Sequence, residues 1–189
     1  VLRTSSSGAI DVETIKEWAK VSSEIVGNVF EKFNLRDGQN LTTSDLLRIS
    51  LALFGSRVSP EELSVSLNWE LFEELIARLF EHVGLNIVRN VQIKVGKNRA
   101  QIDLFAFNED TLYLVECKRW RRSVTPGLIK SIEPSMKRRI FLVKELLSRI
   151  VGPGSFEVRL IPLLLTIYGS PYFDDVLFHS PLRSLMSFL

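Results

Sequence analysis

Only one cysteine, Cys117, occurs in the 189 residues. That excludes an internal disulfide framework and a cysteine metal cluster, and makes a reducing, cytoplasmic setting the expectation. The two histidines, His82 and His179, stand too far apart and too isolated to suggest a metal pair, and no serine has a histidine partner in view. No apolar run reaches the roughly 18 residues of a membrane span, so no membrane association is expected. Neither an internal repeat nor a low-complexity tract interrupts the chain. The opening Val-Leu-Arg-Thr-Ser-Ser-Ser-Gly lacks an initiator Met and the apolar core of a signal peptide, and residues 1–9 are expected to be a disordered truncation remnant. A strong net charge is missing as well: the formal value is +2. Its distribution is uneven, acidic from Glu61 to Glu81 and basic at Lys118 to Arg122 and Lys137 to Arg139, so the total does not announce a nucleic-acid binder while the local patches permit one.

What is present is apolar surface. With 46% hydrophobic residues the chain can bury a real core in one domain of ordinary size with a small appendage. The stretch Gln101 to Arg119 carries three charged residues in otherwise apolar strand. Two runs rich in Leu, Phe, Val and Tyr flank Asn108-Glu109-Asp110-Thr111, the pattern of a β-hairpin. With Glu109 and Asp110 in the loop, Asp103 falls opposite Glu116 and Gln101 opposite Lys118. Alternation then places all four on the face shared by Phe105, Phe107, Leu112 and Leu114, with Ile102 and Cys117 pointing the other way. Opposed side chains have Cβ separations of about 4.5–5.5 Å, where two carboxylates repel unless a cation sits between them. Mg²⁺, which takes one or two carboxylates and completes its shell with water and phosphate oxygens, is a natural choice. Lys118 adds a donor that could orient or deprotonate a water, or stabilise charge on a phosphoryl oxygen. The bland alternative is an ion-pair ladder on a solvated strand, against which stands the largely apolar character of the face.

Around the hairpin, apolar spacing from Ile10 to Phe33 predicts one amphipathic helix, and Thr42 or Thr43 with Asp45 opens a second that runs to Phe54. Ser59-Pro60-Glu61-Glu62 predicts a short third. A helix-turn-helix reader is rejected because the would-be recognition helix opens on two glutamates; a lid or a dimerisation element fits better. Asn68 caps a helix from Trp69 to Val83 that Gly84 stops. On it Glu74 shares a solvated face with Glu70, Arg78 and Glu81, whereas Glu73 has Trp69, Ile76, Ala77 and Phe80 on its flank. A half-buried Glu73 needs a partner, either the metal end of the hairpin or a basic side chain. A strand over Asn86 to Val95 precedes the hairpin. Following it come a basic loop through Arg119, Arg121 and Arg122, a helical region from about Pro126 to Val151 broken or restarted at Pro134, an apolar strand from Phe156 to Tyr168, a short strand Val176 to Phe178, and a last helix capped by Ser180-Pro181 and running to Leu189.

Helix with Phe72-Glu73, strand, Ile102-Asp103, twelve intervening residues, Glu116-Cys117-Lys118, basic loop, helix, apolar strand, short strand and final helix together resemble the PD-(D/E)xK nuclease superfamily, in its Mrr-like restriction endonuclease branch. The resemblance covers roughly Trp69 to Leu189, about two-thirds of the chain, and does not extend to residues 1–68. It implies an α/β restriction-endonuclease-like fold, a central mixed β-sheet flanked by helices, in residues 68–189, with a helical N-terminal extension in 1–67. It further implies hydrolysis of DNA phosphodiester bonds with Mg²⁺ or Mn²⁺ as cofactor, by a restriction-type or a structure-specific endonuclease. Asp103, Glu116 and the Cys117 backbone carbonyl would ligate the metal, Lys118 would position the water, and Glu73 would match the superfamily's helix glutamate. Ile102 stands where the motif name has Pro, and Arg99-Ala100-Gln101 where relatives often carry Gly. Gln101, Arg119, Arg121, Arg122, Lys137, Arg138 and Arg139 are the candidate DNA contacts, each alternatively part of a solvated face, and Trp120 either stacks on a base or packs. Double-strand cleavage needs two sites, which makes a homodimer plausible. The competing readings are an inactive DNA- or protein-binding module that keeps the fold, and a helical assembly protein whose hairpin is only core.

Overall fold

The structure is a computed structural model that describes residues 22–53, 68–120, 122, 124–152 and 158–188. The chain divides into two compact units, Val1–Leu71 and Phe72–Leu189.

In the first unit, α1 (Ser23–Lys32) and α2 (Thr43–Leu53) form where the apolar spacing predicts helix. Val26 and Phe30 are buried against Leu35 and Leu41. Thr42 and Asp45 make the expected reciprocal cap: Thr42 N–H donates to Asp45 Oδ2 at 3.0 Å and Asp45 N–H to Thr42 Oγ1 at 3.2 Å. The start of the first expected helix at Ile10 and the helix expected after Ser59 lie outside the described residues.

Helix α3 (Trp69–His82) opens at Asn68, whose Oδ1 accepts the Leu71 N–H at 2.8 Å. It closes at Gly84, φ +86°, where Gly84 N–H reaches Glu81 O and Leu85 N–H reaches Phe80 O. This is a Schellman ending, and its left-handed residue is one that glycine adopts without steric cost. The second unit is then built on a six-stranded mixed sheet of order β1-β2-β3-β4-β6-β5, from β1 (Asn86–Val95), β2 (Asn98–Phe107), β3 (Thr111–Lys118), β4 (Arg159–Thr166), β5 (Tyr172–Phe173) and β6 (Phe178–Pro181). β1, β2 and β3 form an antiparallel meander, β3–β4 and β4–β6 are parallel, and β5 is antiparallel to β6.

Long helix α4 (Pro126–Val151) supplies the crossover between β3 and β4. Thr125 caps it, accepting the Leu128 N–H at 3.3 Å, with Pro126 in the first turn. Its Leu142 and Val143 pack on Ile93, Val95, Ile102 and Leu114, and its Ile129, Ile132 and Met136 on Leu164 and Leu177. On the opposite face Tyr113 meets Phe80 of α3, ring centroids 5.9 Å apart, and Phe188 of α5 (Leu185–Phe188) at 6.2 Å. Phe72, Leu75, Ile76 and Phe80 are fully buried, each worth about 1.5–3 kcal/mol of transfer free energy. The expected mixed sheet between helices is therefore the observed architecture.

Two local expectations are corrected. Pro134 neither breaks nor restarts α4. Both Pro134 and Lys130, whose carbonyl loses its partner, are on the exposed side, where water can satisfy the freed group. Ser180 and Pro181 do not cap the last helix: both pair in β6 with Leu165 and Thr166, and a 3₁₀ turn (Leu182–Ser184) precedes α5.

Candidate active site

Pairing in the hairpin follows the register that the loop dictates. Leu104 faces Val115, Phe105 faces Leu114, Ala106 faces Tyr113 and Phe107 faces Leu112. Asn108 holds the turn: its Oδ1 accepts Asp110 N–H at 3.1 Å and Thr111 N–H at 2.9 Å, and its N–H donates to Thr111 O. Asp103 and Glu116 are next in that register, and there the ladder stops. β2 parts from β3, while β3 continues beside β4, Glu116 against Leu164 and Lys118 against Thr166. The β1–β2 ladder is interrupted at the same level, between the Arg89–Leu104 and Val91–Ile102 pairs, where Asn90 has φ +52°.

A phase change in β2 accompanies the opening. Ala100 and Ile102 pack in the same cluster as Phe105 and Leu114, so inward-facing positions shift from even to odd across Asp103. The expectation that Ile102 points away from this face is thereby corrected. The β1–β2 register is the same on both sides of this level, so no residue is inserted, and the irregularity is confined to Asn90 and the opposed Asp103. Freed from the ladder, Asp103 turns its carboxylate inward, and Oδ2 accepts the Cys117 N–H at 2.9 Å. A residue's N–H and C=O face the same neighbouring strand, so the Cys117 carbonyl faces the Asp103 side as well. Its side chain is fully buried.

Glu116 is 5% exposed. Its Oε1 lies 2.6 Å from Lys118 Nζ and its Oε2 3.0 Å from Arg139 Nη2 on α4. Buried Oε2 nonetheless accepts no aligned hydrogen bond, so the Arg139 contact is one of charge more than of direction. Burial first, then the Glu116 charge, holds Asp103 above its ordinary carboxylate value, against the Cys117 N–H, Lys118 and Arg139. The Cys117 thiol is pushed well up, by burial and then by the charges of Asp103, Glu73 and Glu116. Half-buried Glu73 thus faces the same neighbourhood, whereas Glu74 is paired with Arg78 at 3.0 Å and with Arg89.

Among the described residues no group of three or more His, Cys, Asp and Glu side chains is arranged to hold a metal. The donors present are two carboxylates and a backbone carbonyl, a set that suits Mg²⁺. An Oε2 without an aligned hydrogen bond and a neighbouring carboxyl raised by burial and then by the Glu116 charge fit a divalent cation.

The candidate DNA contacts are distributed unevenly. Arg122, Arg138 and Lys137 are exposed, the last 3.7 Å from Glu133; Arg119 is half-buried, and Arg121 lies outside the described residues. Gln101 is exposed, and its backbone carbonyl accepts Arg139 Nε at 2.8 Å. Trp120 packs against the Ile129, Ile132, Met136, Leu164 and Leu177 cluster, which favours its packing role. Sequence reasoning missed the Arg139–Glu116 contact. It also passed over buried His179, whose Nε2 lies 2.8 Å from Thr166 Oγ1 and Nδ1 2.9 Å from Ser170 O.

A restriction endonuclease family model, Mrr_cat, matches residues 64–143. Among solved structures the chain is similar to the protein of unknown function AF1548, at 19% identity over 55% of this chain and 47% of that one, TM-score 0.37. It is similar to the small subunit R.BspD6I2 of the heterodimeric restriction endonuclease R.BspD6I, at 15% identity over 74% and 71%, TM-score 0.38. Protein VC1899 from Vibrio cholerae gives 12% identity over 66% and 41%, TM-score 0.31. The chain thus spans about half the length of the first of these. No curated protein sequence matches it. No helix among the described residues is long and apolar enough to cross a membrane. Residues 64–143, which include α3 and the β1–β2–β3 meander, therefore carry a match to the Mrr-type restriction endonuclease family.

Proposed function

We propose that this chain is a metal-dependent DNA endonuclease that hydrolyses phosphodiester bonds. The observation that carries the reading is the opening of the hairpin at Asp103, which leaves Asp103 and Glu116 at one end of the sheet with Lys118 2.6 Å from Glu116 Oε1. Asp103, Glu116 and the Cys117 carbonyl would hold Mg²⁺ or Mn²⁺. When bound, the ion supplies Lewis-acid stabilisation of the phosphoryl oxygens and lowers the pKa of its water. Lys118, a third exposed, is the group that would orient the attacking water and stabilise charge on the phosphate. Glu73 adds negative charge that acts on Cys117. Arg119, Arg121 and Arg122, following Lys118 directly, and exposed Lys137 and Arg138 would hold backbone phosphates, contacts that position without reading sequence.

A second reading, an inactive DNA- or protein-binding module on the same fold, is favoured by the two protein cations already on Glu116. Supercoiled, linear and four-way-junction DNA incubated with Mg²⁺ and with the wild type, Asp103→Ala or Lys118→Ala separate the two. Cleavage by the wild type alone is expected. Equal nicking by all three proteins, or none by any, would sink the nuclease reading.

A further inference from the structure

Arg139 does not sit as a phosphate contact would. Its helix neighbours Lys137 and Arg138 are exposed, but Arg139 lies at the spacing of the buried stripe Ile132, Met136 and Val143, its side chain 17% exposed. From there its guanidinium fork reaches three partners: Nε donates to the Gln101 carbonyl at 2.8 Å, Nη1 to Ser135 Oγ at 3.1 Å, and Nη2 lies 3.0 Å from Glu116 Oε2. Gln101 belongs to β2 and Glu116 to β3, the two strands that part at Asp103. A planar fork bridges such a gap where a single ammonium would not.

The geometry points to Arg139 as the resident counter-ion of Glu116, a positioning residue that holds this carboxylate in the cation-free protein and competes with a divalent cation for it. The inference rests on the reading of Asp103 and Glu116 as a metal site. A buried carboxylate left without a compensating charge is strongly destabilising, and Arg139 supplies that charge at Oε2 as Lys118 does at Oε1. An unaligned charge contact is also one that an arriving cation can weaken without first breaking a directed hydrogen bond. Arg139 therefore lowers metal affinity while stabilising the cation-free fold, two effects that a merely structural arginine would not combine.

The test compares wild-type chain, Arg139→Gln and Arg139→Lys by calorimetric titration with Mn²⁺ and by thermal melting with and without Mn²⁺. Arg139→Gln is expected to melt lower than wild type without the ion, to bind Mn²⁺ about tenfold tighter because a nearby like charge is gone, and to gain more in melting temperature on adding it. Arg139→Lys, which keeps the charge, should retain near wild-type affinity. Equal or weaker Mn²⁺ binding by Arg139→Gln, with the wild type binding normally, overturns the counter-ion role and leaves the metal site standing. Absence of Mn²⁺ binding by the wild type overturns both. Should Arg139→Gln fail to fold alone, refolding in Mn²⁺ is expected to restore a cooperative transition, and no recovery overturns the inference.

Discussion

Asp103 is held in place by a bond that substitutes for a missing rung of the ladder, and this makes two conservative changes diverge. In Asp103→Asn the side-chain carbonyl can still accept the Cys117 N–H, at 2.9 Å in the native chain, while the negative charge that faces Glu116 is gone. In Asp103→Ala both are gone, and the Cys117 N–H is left in a part-buried position without its acceptor. An unsatisfied donor of this kind costs about 1–3 kcal/mol. For a chain of this size each kcal/mol moves the melting temperature by about 2–4 °C, so the two variants should differ by about 2–12 °C. Relief of the burial of a charge, and then of the repulsion from Glu116, which together raise Asp103, should place Asp103→Asn at or above wild type when divalent cations are removed. Differential scanning calorimetry in EDTA makes the measurement. Coincident melting of the two variants below wild type would refute the acceptor argument, whatever happens to cleavage, which both should lose.

Removal of the fully buried Phe80 ring, which also meets Tyr113, should cost about 3–5 kcal/mol in urea unfolding; a loss under about 1 kcal/mol would mean the α3 side of the sheet repacks freely. Gly169 has φ +136°, and a Cβ there would stand 2.8 Å from His179 Cε1, so Gly169→Ala should destabilise by about 1–3 kcal/mol and move the ring's NMR signals. Unchanged stability and shifts would contradict the contact. Burial holds the His179 ring below its ordinary pKa, against the Ser170 carbonyl that favours the charged form. As pH falls through the ordinary imidazole range, the unfolded chain gains a proton that the native ring refuses, so stability drops. The drop between pH 8 and 5.5 should shrink in His179→Gln, and an identical slope would refute the assignment.

Register and composition carried the hairpin a long way. Asn108 and its two loop neighbours were enough to fix which residues face each other from Leu104 to Phe107, because a short turn leaves the strands no other register. What they could not give was the point where pairing ends. That point lies level with Asn90, a residue of another strand with a left-handed backbone, and nothing in the local pattern of β2 registers it. Arg139 is a different case, since a signal was present. Counting from Ile132 by four, three and four residues gives Met136, Arg139 and Val143, so a charged residue stood in the core stripe of a helix, where it requires a partner. Grouping it with Lys137 and Arg138 as a basic cluster hid that. Pro134 misled in the opposite sense, because a helix tolerates a missing N–H wherever the orphaned carbonyl meets water.

The order in which the site's parts occur along the chain has a kinetic consequence. Asp103 and Glu116 meet across a short hairpin, a contact that closes within microseconds, whereas Arg139 arrives only when α4 docks on the meander and β4 pairs beside β3. During folding the two carboxylates therefore face each other before their neutralising arginine is in place. Assembly of the sheet is slowed by a repulsion that Lys118 and Arg139 partly offset in the finished protein. Ions in solution can stand in for the late-arriving charge, so millimolar Mg²⁺ should speed refolding of the wild type and leave Asp103→Asn unchanged.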